Sequence, residues 1–572
     1  MKKLLKYMKG YGKECALGPL FKLLEASFEL LIPLVVAGIV DTGIAAGDKG
    51  HIMKMSLIMV LLGVIGLISA VIAQYFAAKA AVGFAARVRH AVMAHILKLN
   101  YTQLDKAGTA TFITRMTSDV NQVQNGVNLA LRLLLRSPFV VFGAMVMAFT
   151  IDAEAALVFA GIICLLCVVV FGIMLITMPA YKSVQQKLDG VTGATRENLT
   201  GIRVLRAFRM EKQETAQFEE KTEALAKGQQ QAGAISNLMN PLTFVLINLA
   251  IILLMQVGAI KVYTGVLTQG MVIALYNYMS QILVELIKMA NLIISMTKAA
   301  ACAGRIQSVL EIPAAEDNGN AAELGGKVEF RNVSITYADA AAPALTGVRF
   351  TALPGQTVGI IGGTGSGKTT LVNLIPGLYA ASEGTVLLDD RDVNTLGAKA
   401  VCQRIGIVPQ NNLLFAGTVR DNLRWGKEDA TDEEMLEALR LAQAHFVTDK
   451  KEGLDTMVEQ GGRNFSGGQK QRLAIARALV RRPAILILDD SASALDYATD
   501  ANLRGAIRSL DPMPTTFIVS QRAASIRHAD MILVLEDGAV IGQGTSEELL
   551  KTCPVYREIY RTQFPQEVTD NG

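Results

Sequence analysis

"TVGIIGGTGSGKTTLVNLI", Thr357 to Ile375, decides the fold of half of this 572-residue chain. Thr357 to Ile361 form a short apolar run of the kind a buried strand needs, and Leu371 to Ile375 carry the apolar positions of a helix. Between them lies G-x-x-x-x-G-K-[ST], filled by Gly362, Gly367, Lys368 and Thr369. A glycine-rich turn that leaves a strand and opens a helix points its backbone amides at an anion. The loop residues Gly362, Gly363, Thr364, Gly365, Ser366 and Gly367 therefore predict a phosphate cradle, with Lys368 reaching the outer phosphates, the Thr369 hydroxyl binding Mg²⁺ and Thr370 continuing the helix. ATP or GTP is the expected ligand.

Outward from this loop the composition splits. The chain is 51% hydrophobic and 19% charged, with mean hydropathy +0.35, on the membrane side of soluble proteins. Long apolar runs fill residues 1 to about 310, and alternating short strands, turns and charges fill the rest. "EIPAAEDNGNAAELGGK", Glu311 to Lys327, is polar and aperiodic and reads as a linker. Expected domains are 1–310, the linker 311–327, 328–565 and a tail 566–572.

A helix crossing hydrocarbon needs about 20 apolar residues. Six stretches qualify: 16–44, 53–78, 134–151, 155–179, 240–260 and 270–298. Residues 77–127 hold six Lys and Arg and 179–237 hold nine, whereas the short connections hold few, so both termini and both long loops are expected in the cytosol of a multi-pass protein of the cell membrane. The long loops keep helical spacing, which predicts spans extended as cytosolic helices. They are expected to turn at "GTATFITRMTSD" (Gly108 to Asp119) and "ENLTGIRVLRAF" (Glu197 to Phe208). The six cysteines show neither metal spacing nor a disulfide framework, and Cys164 and Cys167 inside "GIICLLCVVVFGIML" read as buried structural thiols. A net charge of +4 with no clustered basic face argues against a nucleic-acid partner.

The second chemical motif is "PAILILDDSASALD", Pro483 to Asp496. In phosphate-loop folds an apolar strand beside the loop ends in an aspartate that holds Mg²⁺, a role Asp489 fits, and Asp490 follows where a residue can polarise the attacking water. The stretch between Lys368 and Asp489 is too long for one βαβ unit. The inserted subdomain carries "NFSGGQKQRLAIARAL" (Asn464 to Leu479), whose Ser-Gly-Gly turn presents a hydroxyl and amides to an anion on a second copy of the domain.

Taken together these motifs resemble the ATP-binding cassette (ABC) exporters, as a half-transporter: an all-α six-helix transmembrane domain followed by an α/β phosphate-loop domain with an inserted helical subdomain. The resemblance implies that Tyr337 stacks on adenine, that Gln410 in "VPQ" senses Mg²⁺, and that Ser466, Gly467, Gly468 and Gln469 form the signature. It implies a further turn at Ser493 to Asp496, with Asp496 near nucleotide, and coupling helices at the two loop turns. Two chains would sandwich two ATP molecules. Two positions depart from the family pattern: Asp490 stands for its glutamate and Gln521, after "TTFIVS", for its histidine. Both fall on one ATP site, while the signature is intact, so the chain resembles the degenerate-site subunit of heterodimeric multidrug-type exporters. A homodimer with two slow sites, or an ATP-gated regulatory membrane protein, are the alternatives. Cargo is open among drugs, lipids and peptides. Candidate contacts are Glu25 and Glu29 in the first span and Glu285 with Lys288 in the sixth, although the last two form an internal ion pair equally well. Arg132 and Arg136 are expected to snorkel to the cytosolic interface.

Overall fold

The computed structural model describes residues 2–314, 324–337, 340–491, 493 and 495–564. Most of the expected linker, the tail 566–572 and Ala494 of the "SALD" turn lie outside the described residues. Two compact units are present, one made of Met1–Ala94 with Thr111–Glu311 and the other of His95–Ala110 with Ile312–Gly572.

Among the described residues of the first unit, six helices are long and apolar enough to cross a membrane: Gly12–Ile44, Lys49–Ile96, Thr109–Ile151, Ala153–Thr200, Glu211–Tyr263 and Gln269–Leu310. They are numbered here as spans one to six. Spans two and four have 48 residues each, about 72 Å at 1.5 Å per residue, more than twice a hydrocarbon core. Small residues bring spans one, three and six together: Ala26, Leu30 and Ala37 pack on Val140 and Ala144 and on Ala274, Tyr278 and Ile282. Close approach of this kind is what lipid-facing helices need, since lipid offers no hydrophobic drive between them. The buried Tyr278 hydroxyl donates to the Leu30 carbonyl at 2.7 Å.

Three expectations are corrected in this unit or at its edge. The first loop turns earlier than Gly108 to Asp119: the short helix is Tyr101–Ala107, begun by an Asn100–Gln103 capping box and ended at Gly108, whose φ of +75° suits glycine. Residues from Thr109 onward already climb as span three. The second loop does hold a short helix where expected, Ile202–Ala207. Arg136 does not snorkel. It is 7% exposed and donates to Glu285 Oε1 at 2.5 Å and to Glu29 Oε2 at 2.6 Å. Ser137 and Lys288 complete the cluster on Glu285, at 2.7 and 2.8 Å, so the residues offered as transport contacts are held by one another. Glu25 is likewise paired, with Lys22 at 2.5 Å. Finally, Cys164 is exposed and Cys167 half-buried, so this thiol pair is not the buried core element its apolar surroundings suggested.

The second unit is α/β. Its strands are β1 Val328–Ile335, β2 Leu345–Ala352, β3 Thr357–Gly362, β4 Glu383–Leu388, β5 Arg391–Asp392, β6 Ile405–Val408, β7 Gly417–Thr418, β8 Met457–Val458, β9 Ile485–Asp489, β10 Thr515–Val519, β11 Met531–Glu536 and β12 Ala539–Gly544. One antiparallel sheet runs β2-β1-β4-β5, and a six-stranded sheet runs β12-β11-β3-β10-β9-β6, parallel except at β12. The strands β3, β9 and β10 are buried at every position, as a parallel sheet covered on both faces requires. Ile485 and Ile487 face the core shared with β1 and β2, whereas Leu486 and Leu488 face the helical subdomain, where Leu439 and Leu473 pack. Each of these four side chains is worth roughly 1.5–3 kcal/mol of burial. That cost of exposure explains the greasy run before the paired acids.

Candidate functional site

The carboxyl ends of β3, β10 and β9 meet at one edge of the six-stranded sheet, the usual place for a ligand in an open α/β sheet. Register puts Ile360, Val519 and Asp489 in one row. The strand ending in Asp489 is therefore not beside the phosphate-loop strand, as its sequence suggested; β10 lies between them and delivers Ser520 and Gln521 to the centre of the site. A cleft of about 360 Å³ opens there, lined by Tyr337, Thr364, Gly365, Gly367, Lys368, Thr369, Thr370, Gln410, Asp489, Asp490 and Gln521 among others. Residues from both ends of the motif set are thus in one place.

The loop itself needs its glycines. Gly367 has φ +94°, and a Cβ there would stand 2.7 Å from the Ala344 carbonyl oxygen. Lys368 folds back over the loop, its ammonium donating to the carbonyls of Gly362 at 3.0 Å and Gly363 at 2.5 Å, with the Ser366 hydroxyl at 3.4 Å. Burial holds this lysine below its ordinary range, and the charges of Asp490 and Asp489 restore part of the loss. Asp489 is only 3% exposed, and burial pushes its carboxyl up although it accepts the Thr369 hydroxyl at 3.2 Å. A hydroxyl and a carboxylate in contact, with the Gln410 amide lining the same cleft, are hard oxygen donors that fit Mg²⁺. Bound there, the ion would neutralise charge on the outer phosphates. The chain's own part is to fix the phosphate loop and the two oxygen donors.

Asp490 adopts φ +49°, the left-handed region that aspartate tolerates better than longer residues. Its amide donates to Val519 O at 3.1 Å, and its carbonyl accepts from the Ser493 hydroxyl at 2.9 Å and from Gln471 Nε2 at 3.4 Å. Gln471, 2% exposed, is a contact that sequence reasoning missed. Two more were missed: Arg522 donates to the carbonyls of Leu495 and Ser493, both at 3.2 Å, and Gln563 of the last helix donates to Gln521 O at 2.8 Å while accepting from the Ala523 amide at 2.7 Å. The loop carrying Gln521 is thereby pinned at both of its ends. No periodicity or motif marks such side chains.

The signature residues do not line this cleft. Ser466 caps the helix Gly467–Leu479 in a capping box with Gln469, leaving the amides of Gly467 and Gly468 at an exposed helix start. Asp496 does not line the cleft either; its carboxylate caps the helix Tyr497–Arg508, accepting the Thr499 amide at 2.7 Å.

Tyr337, the residue expected against adenine, donates its hydroxyl to Thr370 Oγ1 at 3.0 Å and meets Tyr379 edge-on, with ring centroids 5.2 Å apart. Tyr379 in turn lies 5.8 Å from Tyr101 and donates to Asp105 Oδ2 at 2.6 Å. Burial, then the bond to Asp105, pushes the Tyr379 phenol up. The short helix Tyr101–Ala107 is thus connected by three tyrosines to the helix that begins at the phosphate loop.

Comparison with known proteins agrees with this geometry. Residues 15–286 match the ABC transporter transmembrane region, and residues 345–493 match the ABC transporter domain. The ABC transporter ATP-binding protein YfiB of Bacillus subtilis (strain 168) is 35% identical over 574 residues, covering 100% of both chains. The ABC transporter ATP-binding protein Rv1273c of Mycobacterium tuberculosis (strain ATCC 25618 / H37Rv) is 37% identical over 98% of this chain and 97% of its own. The putative multidrug export ATP-binding/permease protein YgaD of Bacillus subtilis (strain 168) is 31% identical over 98% and 99%. With one membrane region of six apolar helices and one ATPase domain, the chain is a multi-pass membrane protein and belongs to the ABC transporter family, as an exporter-type half-transporter.

Proposed function

We propose that this chain is one subunit of an ATP-driven exporter of the cell membrane, with both termini in the cytosol, and that it pairs with a second, different half-transporter. The membrane domain is assigned to 1–310, the linker to 311–327 and the cassette to 328–565. Its own site, built on Lys368, Thr369 and Asp489, holds MgATP and turns it over slowly. Its signature, Ser466 to Gln469, completes the partner's site.

One observation carries the reading. The cleft has every phosphate-loop group in place but presents Asp490 and Gln521 where the attacking water must be activated, while the signature opens elsewhere on the unit. A carboxylate one methylene short of glutamate misses the same water unless the backbone moves, and about 1 Å of misplacement costs on the order of a hundredfold. Gln521 cannot take a proton as an imidazole does. The cargo is a small molecule, a lipid or a peptide, in keeping with the multidrug export named for YgaD.

Steady-state ATPase of the purified chain, alone and co-purified with its partner half-transporter, tests this. Slow turnover alone and fast turnover in the pair are expected. Fast, transport-coupled hydrolysis by a pure homodimer would overturn the heterodimer.

A further inference from the structure

The membrane unit contains a separate cavity of about 540 Å³ between spans four, five and six. Span four lines it from Ile173 to Gln185 and span six from Ile287 to Lys298, about 16–18 Å of helix on each wall. Ile173, Met239, Ile287 and Ile294 make the walls largely apolar, and Lys182 and Lys298 stand late in their respective spans. Spans four and six cross in the same direction, so the two ammonium groups belong to one end of the cavity.

The charges of this cavity are unbalanced. None of its lining residues is acidic. Elsewhere in the unit Lys22, Lys79, Lys261 and Lys288 each sit against a carboxylate. Among the described residues neither Lys182 nor Lys298 has an ion pair or a hydrogen bond, and no acid stands three or four positions away on the same helix. Snorkelling toward the interface accounts for a lysine late in a span. It does not account for two of them closing the same acid-free cavity.

We propose that this cavity binds a single-chain amphiphilic anion, its acyl chain along the apolar walls and its carboxylate, sulfate or phosphate head between Lys182 and Lys298. Two like charges at one end repel a cationic amphiphile and give a neutral one nothing to pair with, whereas an anion replaces hydration with two charge-assisted contacts. The volume lies in the drug-sized range of about 300–1,000 Å³, which one acyl chain with its head group fills. The assignment rests on the exporter reading and names its cargo class.

The test is photolabelling of the full-length chain in phosphatidylcholine nanodiscs, without ATP, by a diazirine analogue of oleate, with labelled peptides mapped by mass spectrometry. Label is expected in 173–185 and 287–298, competed by oleate and not by oleylamine. Lys182→Gln with Lys298→Gln should weaken oleate competition by roughly a hundredfold, about tenfold for each lost charge-assisted bond, with ATP binding unchanged. Lys182→Glu with Lys298→Glu should invert the preference toward oleylamine. Undiminished labelling of the double glutamine variant, or equal competition by oleylamine, would overturn the proposal. So would phosphatidylglycerol in the disc competing better than oleate, which would assign the cavity to a two-chain lipid. Because labelling is read without nucleotide, failed ATP-driven uptake into inside-out vesicles would break the exporter reading and leave this result standing.

Discussion

Two buried charge clusters in this chain look alike in a list of residues and behave differently in space. In the membrane unit Arg136 lies between Glu29 and Glu285, and Lys288 and Ser137 close the far side of Glu285. In the nucleotide unit Lys368 rests on backbone carbonyls, and Asp489 is buried with a threonine hydroxyl as its bonded partner and the like charge of Asp490 nearby. The first cluster is balanced by its own members. The second is desolvated before it is balanced, and its missing partners are phosphate and a divalent cation. Buried charge satisfied from within ties helices together; buried charge left waiting marks where a ligand must come.

The strongest way to break that contrast is Arg136→Leu. It leaves Glu285 buried without its guanidinium, at a cost of roughly 3–5 kcal/mol, read as a large fall in the thermal midpoint of the detergent-purified chain. Lys288→Met, whose side chain is 44% exposed, should cost about 1 kcal/mol or less. Equal effects would mean that the cluster is solvated and the comparison false. Next comes Ser466→Ala with Gly468→Asp, which sets bulk and negative charge against a phosphate of the partner's site. Turnover of the assembled pump should fall on the order of 10²–10³-fold, as when a preorganised donor to a developing charge is removed.

Smaller effects sharpen the waiting half. Lys368→Ala should weaken ATP binding by roughly 1.5–3 kcal/mol, measured on the full chain by nucleotide titration. For Asp489 the sign follows from burial: its folded carboxyl lies above the ordinary range, so the charged form opposes folding and acidification relieves that cost. Mg²⁺ needs the charged form. As pH falls through the raised value, the contribution of Asp489 to apo stability should therefore rise while Mg²⁺-dependent stabilisation by ATP declines, earlier than for an ordinary aspartate at about 3.9. Thermal shifts with and without MgATP across pH 4–7 check the opposed trends, and parallel trends would remove Asp489 as the ligand. The smallest effect is expected from Asp490→Asn, about threefold in turnover of the pair, against the 10²–10⁴ of a well-placed base. A larger loss than that of the signature variant would give this chain a working catalytic site.

What the sequence revealed follows from how local each signal is. The phosphate loop, the strand before Asp489 and the signature each fold from contiguous residues, and spans reveal themselves by length and apolarity. The Arg136 cluster joins residues 107 and 149 positions apart, so one-dimensional spacing made Arg136 an interfacial residue and Glu285 a cargo contact. The first loop was misplaced because its boundary rests on an Asn100–Gln103 cap rather than on the more conspicuous polar run after Gly108. Gln471, Arg522 and Gln563 act through carbonyls whose position only the fold defines. The place of β10 between β3 and β9 is likewise a property of strand order.

The left-handed backbone at Asp490 has a consequence for how such a subunit changes over generations. Aspartate sits in that conformation with less strain than glutamate, so once a partner carries turnover, a drift from glutamate to aspartate relaxes the turn and meets no opposing selection. The return step regains reach toward water but tightens the backbone again, and it acts alone while Gln521 stays in place. Loss of chemistry at this position would work as a ratchet, and a lineage that acquires the asymmetry would tend to keep two genes where one had sufficed.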